Sequence, residues 1–401
     1  MTEQKSDFET LIGPDRRRIK RPRGLGAWMS VIAGLVLVGL IALWPTDRPD
    51  LDLSLFGFAD DVVRSEVVGA SVEPCSYAQE LDCRAYEFSL LDEALGQRVS
   101  LEFPDEPGQP DLAAGDVVYL SAVDFEEGVV DYQYADQDRG LVLVALGLLF
   151  AVAVVALGRF RGVAALLGLV LSIAVLLWFI LPAIISGEDA VLVALVGGGA
   201  IALISLYLAH GYNPLTHVAA LGAFSALVLT TALSWLVLAV ANFSGVATEE
   251  AFFLLALPDV DLNGLLLAGI VLGAIGALDD VTVTQASAVW EVHGANPSLD
   301  ASELYASGLR VGRDHIVSTV NTLLLAYAGA SLPLLILFTL AGQSLGFVAS
   351  SEIVAVEIVR TLVGSIGLVA AVPMTTWLSS RVVKRVEPGT ASGQPPRDRR
   401  G

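Results

Sequence analysis

The chain has 401 residues, of which 54% are hydrophobic, and its mean hydropathy is +0.67. Soluble globular proteins are typically about 45–50% apolar, so the composition excludes that class and predicts a membrane protein. The formal net charge of -20 is local, because residues 46–138 hold 23 acidic and 4 basic residues, a balance of -19. Such an acidic segment repels nucleic acid and anionic lipid, so neither is expected as a partner.

A basic stretch opens the chain. Residues 1–26 are polar and Arg-rich, and the apolar run at 27–44 predicts the first transmembrane helix. Positive residues mark the cytoplasmic side of a span, so residues 1–26 are predicted to be a cytoplasmic tail. A cleaved signal peptide is the alternative, but its apolar region is about 7–15 residues and ends at small residues. The run at 27–44 ends in Leu-Trp-Pro, which favours a retained anchor.

Residues 45–138 predict a small extracytoplasmic β domain. Alternating segments at 83–91, 98–103, 117–122 and 129–134 are bounded by Gly, Pro and Asp, as strands are. Their regular spacing favours an antiparallel barrel of the OB type or a sandwich. Cys75 and Cys83 both lie here, and we expect a disulfide between them if the segment faces an oxidising compartment. No further thiol or imidazole lies nearby in sequence, so no metal site is expected.

Residues 139–380 predict a domain of seven more transmembrane helices, which makes about eight in all and places both termini in the cytoplasm. The seven runs are 141–157, 163–185, 191–209, 218–243, 265–290, 316–340 and 353–378. Basic residues fall on the predicted inner side at positions 159, 161, 310, 313, 381, 384 and 385, whereas the outer loops at 186–189, 244–263 and 341–352 contain none. The tail at 381–401 is rich in Pro, Gly, Ser and Arg and is predicted to be disordered and cytoplasmic.

The sixth of the eight predicted spans, at 265–290, carries two adjacent carboxylates, Asp279 and Asp280. On a helix, residues at steps of three or four form one stripe, which here contains Gly269, Gly273, Gly276, Asp280, Thr284, Ser287 and Glu291. A carboxylate in hydrocarbon costs roughly 2.5–3.5 kcal/mol, so we expect the stripe to face protein or water. The three glycines are expected to be helix-packing points. Asp279 lies about 100° around the helix, where sharing a proton with Asp280, contacting another helix and ligating the same cation are open alternatives.

Two segments, GALDDVTVTQASAVWE and SGLRVGRDHIVSTVNTLLLAYAGASLPLL, resemble the YibE/F family of multi-spanning bacterial membrane proteins. The resemblance covers most of the chain from Val62 onward and is most specific between Gly273 and Leu335. It implies a bacterial plasma-membrane protein with an external domain and a membrane core, in a family described as uncharacterised or as transporters. The family's characteristic positions fall on Asp280, Gln285, Gly312, Arg313, Asp314, Thr319 and Asn321.

The seventh predicted span carries a broad polar sector that we expect to face the Asp280 stripe. The predicted pathway residues are Asp279, Asp280, Thr284, Gln285, Arg313, Asp314, Thr319 and Asn321. The alternatives are that the Thr and Asn side chains only join helices, at about 0.6 kcal/mol each, and that Arg313 and Asp314 form an inner gate or merely anchor a helix end. In the eighth span, Glu357 and Arg360 form a local ion pair, or Arg360 is a counter-ion for an anionic substrate.

These features predict a transporter or permease of a small solute or ion, with a proton- or cation-coupled site between the sixth and seventh helices. Burial would favour the protonated form of Asp280. The alternative function is a non-transporting scaffold or sensor whose β domain binds an envelope component. A wet cavity at Asp280 lined by Gln285 and Asn321 favours transport, whereas a dry polar cluster favours the scaffold.

We expect no enzyme activity and no cofactor. The sequence contains no nucleotide-binding loop or Ser-centred elbow, no second intramembrane Asp to face Asp280, and no histidine partners for the glutamates at 249 and 250. The lipid bilayer and a homo- or hetero-oligomer are the expected partners.

Overall fold

The structure is a computed structural model, and it describes residues 23–45, 61–91, 96–126, 129–256 and 260–385. The predicted cytoplasmic tails lie outside the described residues, except for 23–26 and 381–385, which belong to the first and last helical segments. The chain divides into two compact units. One comprises residues 50–157, and the other comprises residues 1–49 and 158–401.

The smaller unit contains one antiparallel sheet of five strands in the order β3-β2-β1-β4-β5. The strands are β1 Asp61–Cys75, β2 Ala78–Leu90, β3 Arg98–Pro104, β4 Val117–Glu126 and β5 Val129–Gln137. The four segments predicted from alternation lie in β2 to β5. The prediction missed β1, although this long strand pairs with both β2 and β4 and forms the centre of the sheet.

The sheet is curled, so its two edge strands approach each other. Phe103 on β3 and Tyr134 on β5 meet edge to face, with ring centroids 5.9 Å apart. The described strands form no hydrogen-bonded ladder between β3 and β5, so the barrel is not closed. The concave face is the core, and Phe88, Val118 and Leu120 are fully buried there. The prediction of a small antiparallel domain therefore holds, while its OB-like identity stays a prediction.

The hairpin between β1 and β2 is fastened by a disulfide between Cys75 and Cys83. Both side chains are buried, with 1% exposure each. A covalent link across a short loop restricts the unfolded chain and stabilises a domain by about 2–3 kcal/mol. We therefore expect the double variant Cys75→Ser/Cys83→Ser to lose amide-exchange protection in β1 and β2. Hydrogen exchange on the full-length protein measures this, with the helical unit as the internal control, and unchanged protection in the hairpin would contradict it.

An apolar helix, α2 Gly140–Gly158, belongs to the same unit as the sheet. It contains no buried residue within the described structure, and it is long and apolar enough to cross a membrane. It agrees with the predicted span at 141–157.

The larger unit is helical. Its elements are α1 Arg23–Ala42, α3 Phe160–Val175, a π-helical turn Leu176–Ile180, α4 Leu181–Ile185, α5 Ala190–His210, α6 Pro214–Ala241, α7 Glu249–Phe253, α8 Leu262–Ala295, α9 Ala301–Ala330, α10 Leu332–Leu340, α11 Leu345–Ser350 and α12 Glu352–Val383. Segments α3 to α4 form one continuous apolar helix, Phe160–Ile185. Across the described residues, seven helices are long and apolar enough to cross a membrane, or eight if a bent pair counts as one span.

Successive long helices of this unit alternate in direction. Gly264 near the start of α8 lies against Ala190, the first residue of α5, so the two helices begin at the same end. A Cβ atom added to Gly264 would lie 3.6 Å from Ala190. After α6, the Ser244 amide and hydroxyl donate to the carboxylate of Glu352, the first residue of α12. We call the end where α5, α8 and α12 begin the apical end, and the other the basal end. At the basal end, Lys384 donates to the Pro297 carbonyl at 3.1 Å.

The seventh predicted span is wrong in its bounds and in its continuity. The helix begins at Ala301, because Asp300 and Glu303 form a capping box there. The Glu303 amide and then the Ser302 hydroxyl donate to Asp300, and these bonds lower the pKa of its carboxyl. At the other end α9 stops at Ala330, and α10 turns away by 62°. Pro333 lies in the first turn of α10, where a missing amide is tolerated, so the chain restarts as a new helix.

Candidate functional site

Polar side chains from α9 and α12 lie along the least buried edge of α8. Gly273, Gly276, Asp280, Thr284 and Glu291 are all exposed, as the predicted stripe requires of one helix face. A side-chain carbon at Gly269 would lie 3.8 Å from the Arg360 guanidinium of α12, and one at Gly273 would lie 3.1 Å from the Tyr327 hydroxyl of α9. We call the following group the polar cleft: Gly269, Gly273, Gly276, Asp280, His315, Tyr327, Glu357 and Arg360.

The stripe's glycines form the floor of this cleft. A side-chain carbon added at Gly276 would meet no atom of the described structure within 4 Å. The prediction that Gly269, Gly273 and Gly276 are close helix-packing points is therefore wrong for Gly276, while Gly269 and Gly273 meet polar side-chain tips. The reason is that the side chains of Tyr327 and Arg360 meet this part of α8, whereas the α9 backbone lies close to α8 elsewhere, at Gly308 and Gly312.

Asp280 lies at the middle of α8 and faces His315 of α9. The Oδ2 atom of Asp280 is 3.9 Å from the His315 Nε2 atom. The Asp280 side chain is 72% exposed in the described structure, so the burial that the sequence predicted for it is not found there. The His315 Nε2 atom is buried and has no hydrogen-bond partner among the described residues. A carboxylate and an imidazole at this separation can exchange a proton once the contact shortens to hydrogen-bond distance.

Asp279 is the more buried carboxylate of the pair. It points into the bundle, away from the cleft, and accepts a 2.6 Å hydrogen bond from the Ser205 hydroxyl of α5. Its other oxygen, Oδ1, is buried and unpaired in the described structure. Of the three alternatives for Asp279, the geometry therefore shows contact with another helix. The two carboxylates face different helices because consecutive residues lie about 100° apart.

Glu357 and Arg360 close the apical half of the cleft. The guanidinium Nη1 is 3.2 Å from the Glu357 Oε1, which is the local ion pair that the sequence predicted. Arg360 also lies over the Tyr327 ring, 5.9 Å from its centroid. Both charged side chains are half-buried, and the Arg360 Nε has no partner among the described residues. The ion pair leaves this nitrogen available, so a further role as counter-ion stays a prediction.

Gln285 does not line an open pathway. Its side chain is 3% exposed, and its amide donates to the Gly308 carbonyl of α9 and to the Thr376 hydroxyl of α12, both at 2.7 Å. A side-chain carbon at Gly312 would lie 2.6 Å from Gln285 Oε1 and 2.5 Å from Val372. These contacts make a dry node that joins three helices. The predicted role of Gln285 in a wet cavity is therefore wrong.

The remaining predicted residues divide between the two sides of α9. Thr319 is half-buried on the side of His315, to whose carbonyl it donates at 3.0 Å. Arg313, Asp314 and Asn321 are exposed. Asn321 lies about 180° from buried Gly312 around the helix, so it cannot line the cleft. Arg313 and Asp314 lie inside α9 and not at its end, and their role as inner gate or anchor stays a prediction.

Several residues of the site were not chosen as site residues from the sequence, namely Ser205, His315, Tyr327, Gly308 and Thr376. Three of them had a usable signal. Tyr327 follows His315 and Thr319 at helical spacing, and Gly308 precedes Gly312 by four residues. Ser205 and Thr376 had none, because their importance comes from helices distant in sequence.

A protein-family model described as YibE/F-like protein matches residues 146–385. The chain belongs to the YibE/F-like family. This confirms the resemblance, although the match begins within α2 and leaves β1 to β5 outside it. All helices of the polar cleft lie inside the YibE/F-like region, and family and apolar helices together indicate a membrane protein. No curated protein and no solved structure matches the chain.

Proposed function

We propose that this YibE/F-like protein is a transporter or permease of the bacterial plasma membrane, coupled to protons through Asp279 and Asp280. The observation that carries the proposal is the Asp280–His315 pair, two titratable side chains 3.9 Å apart. They lie halfway along α8, a candidate membrane span, and α9, which forms a candidate span together with α10. Ionisable residues within transmembrane segments are expensive and typically mark ion or proton pathways.

The proposed orientation places the basal end in the cytoplasm, together with both termini. Arg161 at the start of α3, and Arg381 and Lys384 at the end of α12, lie at that end, which fits the positive-inside rule. We propose separately that the sheet faces the oxidising outer side, because disulfides persist there.

A proton is favoured over a metal ion as the coupling species. The described residues contain no group of three or more His, Cys, Asp or Glu side chains that could surround a metal. Asp280 with His315, and Asp279 with Ser205, each provide one carboxylate and one further hydrogen-bonding group. A small cation requires more oxygen ligands than either pair supplies, whereas a proton needs only one acceptor.

The dry node at Gln285 supports one element of the scaffold alternative. Gln285 and its partners are packed as a structural join would be, so the proposed pathway does not run between α8 and α9 at this level. The exposed Asp280 carboxylate, one and a half turns away, supports transport. In the proposed arrangement the node holds three helices together while the cleft beside it carries the proton.

Proton flux into proteoliposomes tests this function. The lumen holds a pH-sensitive dye, and a potassium diffusion potential drives flux with and without an extract of small solutes outside. We expect wild-type protein to acidify the lumen and Asp280→Asn to reduce the rate at least about tenfold, as for loss of a positioned proton-transfer group. Equal rates for wild type and Asp280→Asn at every external pH would contradict the proposal.

Three variants serve as controls. Asp280→Glu keeps a titratable carboxyl and should retain flux, and Asp131→Asn removes an exposed carboxylate of β5 and should change nothing. A separate variant tests Asp279. Ser205→Ala removes the 2.6 Å hydrogen bond to the Asp279 carboxylate, and we expect the pH dependence of the flux rate to shift. Ser225→Ala is its matched control, since the Ser225 hydroxyl donates to the Leu221 carbonyl of its own helix.

A further inference from the structure

One face of α9 carries an exposed, regularly spaced seam of side chains. Arg310, Asp314, Val317, Asn321 and Leu324 follow at steps of four, three, four and three residues, and all five are exposed, Val317 by 73% and Leu324 by 51%. We call these five residues the α9 seam. It lies on the opposite side of the helix from the buried glycines that pack against α8 and α12.

The seam does not suit contact with lipid. Among the described residues, the Asp314 carboxylate has no hydrogen bond or ion pair, and Asn321 presents an amide to the outside of a helix that is otherwise part of a candidate span. A carboxylate in hydrocarbon is unfavourable, and an amide seeks a partner across helices. Within the described residues, the Arg310 guanidinium donates only to the Ser307 hydroxyl of its own helix, at 2.9 Å.

The spacing of the seam is that of a coiled coil. Steps of four and three residues alternate where two helices wrap around each other with a period of 3.5 residues. A polar Asn at one core position of such a seam fixes the register and the number of strands. Asn321 occupies that place between Val317 and Leu324.

Charge and symmetry identify the partner as a second copy of the chain. Copies in one membrane share an orientation, so their α9 helices would be parallel around a two-fold axis. A two-fold contact pairs residue i with j and j with i. Arg310 and Asp314 have opposite charges and lie one turn apart, so the Arg310 guanidinium of each copy can reach the Asp314 carboxylate of the other. The Asn321 amides of the two copies can each donate to and accept from the other. The seam is thus complementary to itself.

We propose that two copies of this protein associate in parallel along the α9 seam. The contact leaves the polar cleft free, because His315 and Thr319 lie on the other side of α9. The interface is independent of the proposed transport function, and either can fail without the other.

Cysteine cross-linking in native membranes tests the seam. The chain has only two cysteines, and these form the disulfide in the sheet, so one added thiol reports a single position. Under mild oxidation we expect Val317→Cys to give a covalent product with twice the mass of the chain. Leu236→Cys, an exposed position on α6, is the matched control and should give none. No product from Val317→Cys, or a product with the mass of another protein, would overturn the proposal.

Exchanging the charges at positions 310 and 314 distinguishes loss of the contact from loss of folding. Asp314→Arg in the Val317→Cys background places like charges at the contact and should reduce the product about fivefold or more, the effect of roughly one kcal/mol. Adding Arg310→Asp restores the opposite pairing and should restore cross-linking. Failure of the double exchange to recover the product in protein that elutes as a single peak would also overturn the proposal.

Discussion

Gly312→Ala should destabilise the helical unit, although alanine is the better helix former. The new Cβ would lie 2.5 Å from Val372 Cγ1 and 2.6 Å from Gln285 Oε1, distances that Cβ atoms essentially never show. Val372 is fully buried and Gln285 is held by two hydrogen bonds, so neither can move without loss. Overpacking of this kind costs about 1–3 kcal/mol. Thermal unfolding of the detergent-purified protein measures it as a lowered midpoint.

Gly276→Ala is the matched control, because the same substitution on the neighbouring helix meets open space. Here the helix propensity of alanine, worth about 1 kcal/mol over glycine, is the main effect. We therefore expect Gly276→Ala to leave the unfolding midpoint unchanged or to raise it. Equal behaviour of the two variants would show that the node around Gln285 is not packed as described.

These two glycines show where sequence reasoning ends. The spacing of Gly269, Gly273 and Gly276 correctly indicated one face of α8, yet Gly308 and Gly312 are the close contacts. A helical period identifies residues that share a face. It carries no information on which neighbouring helix lies against that face, since this depends on helices far away in sequence.

The paired carboxylates illustrate the same limit. The sequence placed Asp279 and Asp280 about 100° apart, and this angle alone required them to face different surroundings. The buried member could not be chosen without Ser205, which lies 74 positions earlier on α5. Apolar length, by contrast, predicted nearly every long helix, because a span of bilayer requires a continuous run of apolar residues. The break at Ser331 escaped because the run remains apolar on both sides of it.

Removing the guanidinium of Arg360 should cause a large electrostatic loss. Arg360→Met would leave the half-buried Glu357 carboxylate without its 3.2 Å partner on a candidate membrane helix. Breaking a buried ion pair from one side typically costs about 3–5 kcal/mol, and we expect the lower end because roughly a quarter of each side chain is exposed. The midpoint of thermal unfolding reports the loss. Arg313→Met removes an exposed arginine and should have little effect.

The double variant Glu357→Gln/Arg360→Met separates a structural ion pair from a ligand-binding arginine. Removing both charges at once leaves no unpaired buried carboxylate, so stability should return close to that of the wild type. Transport should not return if Arg360 also binds an anionic substrate, because its unpartnered Nε is then lost with it. Recovery of stability and flux together would limit Arg360 to holding Glu357. Recovery of stability alone would assign the guanidinium to the cleft, beside the Asp280 carboxylate that the glycines of α8 leave open.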